Sequence, residues 1–184
     1  GAQKQGHSWR IPADTVLAAG AKGLEPERKL LPVGISNFRL AATNYYYVDK
    51  TLLIRDFIDS RPMVSLFTRP RRFGKTLNMD MLRVFFEKTD EDTSVYFRDR
   101  KIWQCGSRYM AYQGQYPVIF LSFKDIKCAS WEETRGKIAR LISLECQRHI
   151  ELQDSPRLNS YEKEQYALLT KGKADGISYE MSLQ

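Results

Sequence analysis

The chain has 184 residues, 42% of them apolar and 12% aromatic, which suits one folded domain and excludes a disordered chain. No run approaches the roughly 20 apolar residues of a membrane-spanning helix, so the sequence argues against a membrane protein. The N-terminus has no charged-then-apolar signal layout, and the expected location is the cytoplasm. The formal charge is +7, from 29 basic and 22 acidic residues, enough to attract nucleic acid or another polyanion and equally compatible with a merely basic surface. Cys105, Cys128 and Cys146 stand singly and His7 lies far from His149, a scatter that gives no metal-ligand cluster.

In chain order, residues 1–30 read as an irregular leader, with one apolar patch at 15–19 that allows a short helix. From Tyr45 the signals sharpen. Asp49 is placed to cap a helix, Val48 and Leu53 are spaced as a hydrophobic staple, and Leu52, Leu53, Ile54, Phe57 and Ile58 share a face. The expectation is a helix over 50–59, closed before Pro62.

Met63-Val64-Ser65-Leu66-Phe67 is a short apolar run, expected as a buried strand. After Gly74 the period changes, and Leu77, Met81, Val84, Phe85 and Phe86 mark the core side of a helix to about residue 88. Residues 89–116 show no clean period. Pro117 to Phe123 reads as a second buried strand. Ser130 and Glu133 have capping-box spacing and open a helix to about 148, with Ile138, Leu141, Ile142 and Cys146 on one face. A last helix is expected over 160–171, stopped at Gly172. Strands alternating with helices predict an α/β fold, a partial P-loop NTPase-like parallel sheet flanked by helices.

The chemistry concentrates between the first strand and its helix, in Thr68-Arg69-Pro70-Arg71-Arg72-Phe73-Gly74-Lys75-Thr76-Leu77. A phosphate-binding P-loop reads G-x-x-x-x-G-K-[ST] between strand and helix. Gly74 lets backbone approach phosphate oxygens, Lys75 offers a compact charge to the β- and γ-phosphates, and the Thr76 hydroxyl is placed to ligate Mg²⁺. First-turn N–H groups then face the anion. Arg69 replaces the first glycine. With Arg71, Arg72 and Lys75 it sets four cations in seven residues, a density that favours a nearby anion. The plain alternative is a basic turn that happens to precede a helix.

Four ordered motifs, Leu31-Pro32-Val33-Gly34-Ile35 with Phe38, Tyr46-Tyr47-Val48-Asp49-Lys50-Thr51, Arg69 to Leu77, and Tyr116 to Lys124, resemble successive motifs of the AAA-ATPase-like family of bacterial proteins. The resemblance covers about residues 31–184. It implies that R-P-R-R-F-G-K-T is the family's own Walker A loop, and that the site takes ATP and Mg²⁺ as a nucleotide-binding hydrolase would. Longer members carry a C-terminal PD-(D/E)xK nuclease-like domain.

An ATPase also needs an apolar strand ending in an acidic residue that holds Mg²⁺. The strand at 117–123 ends in Ser122-Phe123-Lys124, and Asp125, flanked by lysines, suits a solvated loop. The resemblance puts the acidic strand after a helix beginning near Ser178, past Gln184. Residues 31–184 are therefore expected to be the N-terminal part of the domain, binding nucleotide with little turnover. Other readings are a non-catalytic basic module gripping nucleic acid and a remnant that holds a partner protein. Nothing in the sequence sets an oligomeric state.

Bland accounts compete at several positions. Asp49 and Lys50 are candidates to contact nucleotide or a partner, although a helix cap accounts for Asp49 more simply. Tyr45, Tyr46 and Tyr47 suit packing and surface better than base stacking. Trp103, Tyr109, Tyr112 and Tyr116 suit a segment folded over a sheet edge, and Glu132 and Glu133 suit helix capping better than acid–base work. His149 reads as a surface histidine at a helix C-terminus.

Overall fold

The computed structural model describes residues 29–182, together with the backbone of two short strands, β1 (Gln3–Gln5) and β2 (Ser8–Arg10). These two strands pair antiparallel, Lys4 opposite Trp9. The apolar patch at 15–19 lies outside the described residues.

Helix α1 (Phe38–Asn44) opens on Asn37, whose side chain accepts the Leu40 N–H. Helix α2 (Leu52–Ser60) buries Ile54 and Ile58 and closes on Arg61 in the left-handed region (φ 42°). Helix α3 (Lys75–Phe86) buries Met81, Val84 and Phe85. The apolar faces read from the sequence are thus the buried ones, with boundaries shifted by two residues or less at most ends. One cluster gathers Phe38, Ala42, Ile54, Ile58, Met81, Val84, Phe85, Phe97 and Ile102. Phe38 stacks on Phe97 at 5.1 Å, and Phe85 meets Phe97 edge-on at 5.1 Å. Such aromatic pairs add about 1 kcal/mol each beyond the area they bury.

The aperiodic stretch 89–116 closes this core. A 3₁₀ turn (Thr93–Tyr96) and two single-turn helices, α4 (Lys101–Gln104) and α5 (Ser107–Met110), place Phe97 and Ile102 fully inside. Trp103, Tyr109 and Tyr112 pack on the cluster from outside, which accounts for the aromatic density there. No sheet edge is involved.

Helix α6 (Trp131–Arg148) is followed by a 3₁₀ turn (Ile150–Asp154), α7 (Ser160–Thr170) and α8 (Gly176–Met181). Ser130 caps α6 by accepting the Glu133 N–H at 3.2 Å, but the Glu133 carboxylate turns to Lys137 at 3.6 Å, so the box is only half made. The complete capping box lies on α7, where Asn159 and Glu162 satisfy each other's backbone N–H groups. Tyr166 on α7 donates its hydroxyl to the Cys146 and His149 carbonyls, fixing the end of α6.

The parallel sheet is not present among the described residues. The run 63–67 has no ladder, with Val64 86% and Leu66 84% exposed. Residues 117–123 also lack a strand partner. Among the described residues parallel pairing is limited to two isolated bridges, Leu30 with Tyr45 and Glu87 with Tyr116. The physical reason is that a strand is defined by its neighbour. An apolar run of strand-like composition cannot satisfy its own backbone groups, and no second strand lies beside it here.

The segment 117–123 is instead held by side chains. Glu145 Oε1 accepts the Phe120 N–H at 2.6 Å, and His149 Nε2 lies 2.9 Å from the Val118 carbonyl. Arg83 sits over the Phe120 ring at 5.2 Å. His149 is accordingly buried, 5% exposed, and not the surface residue its helix-end position suggests.

Candidate functional site

The basic turn runs directly into α3. Gly74 occupies the position before the first helical residue with φ 73°, a conformation that costs a residue with a Cβ about 1 kcal/mol or more. Arg72, two residues earlier, also has positive φ, 69°. A non-glycine residue held there stores strain of about 1–3 kcal/mol, and such strain concentrates at functional turns. Alternating left-handed residues turn successive N–H groups toward one concavity, the arrangement known as an anion nest.

No side chain caps α3 at its start. The N–H groups of Lys75, Thr76 and Leu77 belong to the first turn, where no intrahelical acceptor exists. Asn78 makes the first helical bond, to the Gly74 carbonyl at 2.9 Å. The helix dipole adds about half a positive charge at the same place. Arg69, Pro70, Arg71, Arg72, Phe73 and Thr76 are exposed, and Gly74, Lys75 and Leu77 half-buried. The Leu77 side chain packs on the core, so only its main chain faces the turn.

Lys75 does not point into solvent. Its ammonium donates to the Arg69 carbonyl and to the Pro70 carbonyl, the latter at 3.0 Å, closing the turn on itself. Among the described residues, no carboxylate forms an ion pair with Arg69, Arg71, Arg72 or Lys75. The structure thus brings Lys75 and the backbone of residues 69–70 together, and leaves the three guanidinium groups at the surface.

Helix α3 also carries a charged network that the sequence reading passed over, although Asp80, Arg83 and Glu87 have the one-turn spacing of helical ion pairs. Asp80, 5% exposed and on α3, accepts the Phe38 N–H at 2.7 Å and the Arg83 guanidinium at 2.7 and 3.0 Å. Arg83 continues to Glu87 at 3.0 Å, and Glu87 meets Arg148, which also holds Glu145 at 2.7 Å. The chain of charges ties α3 to α1 on one side and α6 on the other. Buried charges survive only when each is compensated in this way.

Asp49 does a different job from the expected helix cap. Its Oδ1 accepts the Thr51 N–H at 2.9 Å and the Thr51 hydroxyl at 2.7 Å, while Oδ2 accepts the Lys101 N–H at 2.8 Å. The cap position of α2 belongs to Thr51, whose side chain accepts the Ile102 N–H at 3.1 Å. Burial alone would raise the Asp49 pKa; the bonds from Lys101 and Thr51, with the charge of Arg100, outweigh it and hold the carboxyl below its ordinary value. Val48 is largely exposed, which leaves little of the expected staple. Tyr47 packs edge-on to Phe38 at 5.3 Å, and burial, only partly offset by the Lys50 backbone and Arg100, pushes its phenol up to about 12.

Asp125, the acidic residue after the second apolar run, is exposed in a turn. Among the described residues, no cluster of histidine, cysteine, aspartate or glutamate is arranged to hold a metal ion. No helix there is long and apolar enough to cross a membrane.

Gly74, Lys75 and Thr76 at the uncapped start of α3 match the second half of the P-loop pattern G-x-x-x-x-G-K-[ST]. The profile of the AAA-ATPase-like family, described as "Predicted AAA-ATPase", matches residues 32–175, and the chain belongs to that family. A protein of Azotobacter chroococcum mcd 1, named "Uncharacterized protein in vnfD 5'region", is 34% identical over 120 residues. The match takes in 64% of this chain and 21% of the relative, so the chain spans about a fifth of that protein's length. No solved structure matches significantly. The family supports nucleotide binding at a coarse level.

Proposed function

We propose that the turn 69–76 binds the polyphosphate of ATP with Mg²⁺, as the phosphate-gripping part of a larger ATPase. The observation that carries this reading is the start of α3: a left-handed Gly74, uncapped first-turn N–H groups and a lysine at the first helical position. The residues fit the group. Gly74 presents no side chain to an approaching phosphate, and the Thr76 hydroxyl is exposed at the same helix end.

In this reading the N–H groups of Gly74, Lys75, Thr76 and Leu77 receive phosphate oxygens. Lys75 exchanges the carbonyls of Arg69 and Pro70 for the β- and γ-phosphates, and Arg71 or Arg72 neutralises further charge. Thr76 would hold Mg²⁺, which when bound would offset the negative charge of the phosphates. Hydrolysis requires an acidic residue to hold that metal and orient water. Asp125 is exposed in a turn that no strand leads into, so binding with little turnover is the expected behaviour of these residues alone.

Titration calorimetry with ATP-Mg²⁺ on the chain and on Lys75→Ala tests the assignment. Loss of about 10–100-fold in affinity is expected, the worth of one or two charge-assisted hydrogen bonds. Equal affinity in the two proteins, or none in either, removes the site. Strong, salt-dependent nucleic-acid binding that excess ATP-Mg²⁺ leaves intact would favour the basic-module reading instead.

A further inference from the structure

The Lys50 ammonium lies against the phosphate turn. A Cβ built on Gly74 would sit 3.8 Å from Lys50 Nζ, with nothing else within reach. Lys50 is thus aimed at the left-handed glycine that opens α3, although it stands 24 residues earlier in the chain, at the head of a different helix.

Its neighbours explain how a flexible side chain is aimed there. Asp49 spends both carboxylate oxygens on Thr51 and on the Lys101 N–H. Thr51 is fully buried and takes the Ile102 N–H on its hydroxyl. The Lys50 carbonyl accepts the Leu53 N–H at 3.0 Å. The backbone on either side of Lys50 is therefore pinned to α4 and α2, while its own side chain is exposed. Among the described residues, no carboxylate forms an ion pair with it.

A lysine placed toward the glycine at the positive end of α3, in the turn that also carries Arg71, Arg72 and Lys75, adds a further positive charge to a cationic segment with no carboxylate paired to it among the described residues. That placement is unfavourable unless an anion fills the space between. We infer that Lys50 is a further phosphate-binding residue, reaching from the head of α2 to the nucleotide polyphosphate lying over Gly74. The inference rests on the phosphate-site reading above. It makes the site two-sided: Lys75 approaches from within the turn, Lys50 from a separate element that α4 holds in place. A nucleotide would then link α2 to α3.

The experiment compares ATP-Mg²⁺ affinity and thermal melting for the native chain, Lys50→Gln, Lys50→Arg and Lys75→Ala. Lys50→Gln is expected to bind about tenfold more weakly, the worth of one charge-assisted hydrogen bond, with an unchanged melting temperature. Lys50→Arg should recover most of the loss, since a guanidinium also donates to phosphate. If Lys50→Gln binds like the native chain while Lys75→Ala does not, the Lys50 inference falls and the site stands. Lys50→Gln melting lower, with no rescue by arginine, would make Lys50 a structural residue and also overturn the inference. Absence of binding in the native chain removes both.

Discussion

Glu145 accepts the main-chain N–H of Phe120 across 25 residues of sequence, at 2.6 Å. A side chain on a helix thereby does for the apolar segment 117–123 what a neighbouring strand would do in a sheet. The same carboxylate holds Arg148, and through Arg148 and Glu87 the contact reaches the end of α3.

Removing that carboxylate leaves a backbone N–H without its acceptor and Arg148 with one partner fewer. Glu145→Ala is expected to cost about 2–3 kcal/mol and to speed hydrogen exchange at the Phe120 amide. Mass-spectrometric exchange with urea melts checks both. Unchanged exchange at Phe120 would mean the segment is held by something else.

Asp80 is the second pivot, joining the start of α1 to the middle of α3. Asp80→Ala deletes the acceptor of the Phe38 N–H and strips Arg83 of one of its two carboxylates. A loss of about 3 kcal/mol is expected, in the range measured when one partner of a buried pair is removed. The melting temperature should fall by several degrees. A surface-like effect below about 0.5 kcal/mol would show that the network carries no stability.

Asp49 gives the fold an acid-sensitive element. Its carboxyl titrates below the ordinary 3.8 when folded, so it binds fewer protons in the native state than in the unfolded chain. Its stabilising effect is complete above the ordinary value and lost as pH falls through the lower native one. Urea melts between about pH 6 and 3 should therefore show a smaller acid loss of stability in Asp49→Asn than in the native chain. Parallel pH profiles for the two proteins would contradict the assignment.

Gly74 combines both kinds of constraint. Gly74→Ala must hold φ 73° with a Cβ, and that Cβ stands 3.8 Å from Lys50 Nζ. A stability cost of about 1–2 kcal/mol is expected, together with weaker ATP-Mg²⁺ binding than that strain alone explains. Melting and calorimetry on the same sample separate the two effects. Full affinity in a destabilised variant would restrict the glycine's role to the backbone.

The sequence by itself determined the helices α2, α3, α6 and α7, the buried faces of α2 and α3, and the glycine turn before α3, whereas α1 and the single-turn helices α4 and α5 carried no readable period. Apolar spacing in 52–58 and 77–86 follows the helical period, and a helix satisfies its backbone within its own segment, so local residues suffice to define it. Gly74 before Lys75 is legible for the same reason, because only the local dihedral and the helix start are involved. The apolar runs 63–67 and 117–123 were read as strands of a parallel sheet and are not, since strand pairing depends on a partner that composition cannot supply. The core positions of Phe97 and Ile102, the burial of His149, the joining of the α3 charges to Phe38 and Arg148, and the approach of Lys50 to Gly74 were decided by tertiary structure. Asp80, Arg83 and Glu87 stand one turn apart along α3, but their links to Phe38 and Arg148, like those of His149 to Val118 and of Lys50 to Gly74, join residues far apart in sequence, where no periodicity links one partner to the other.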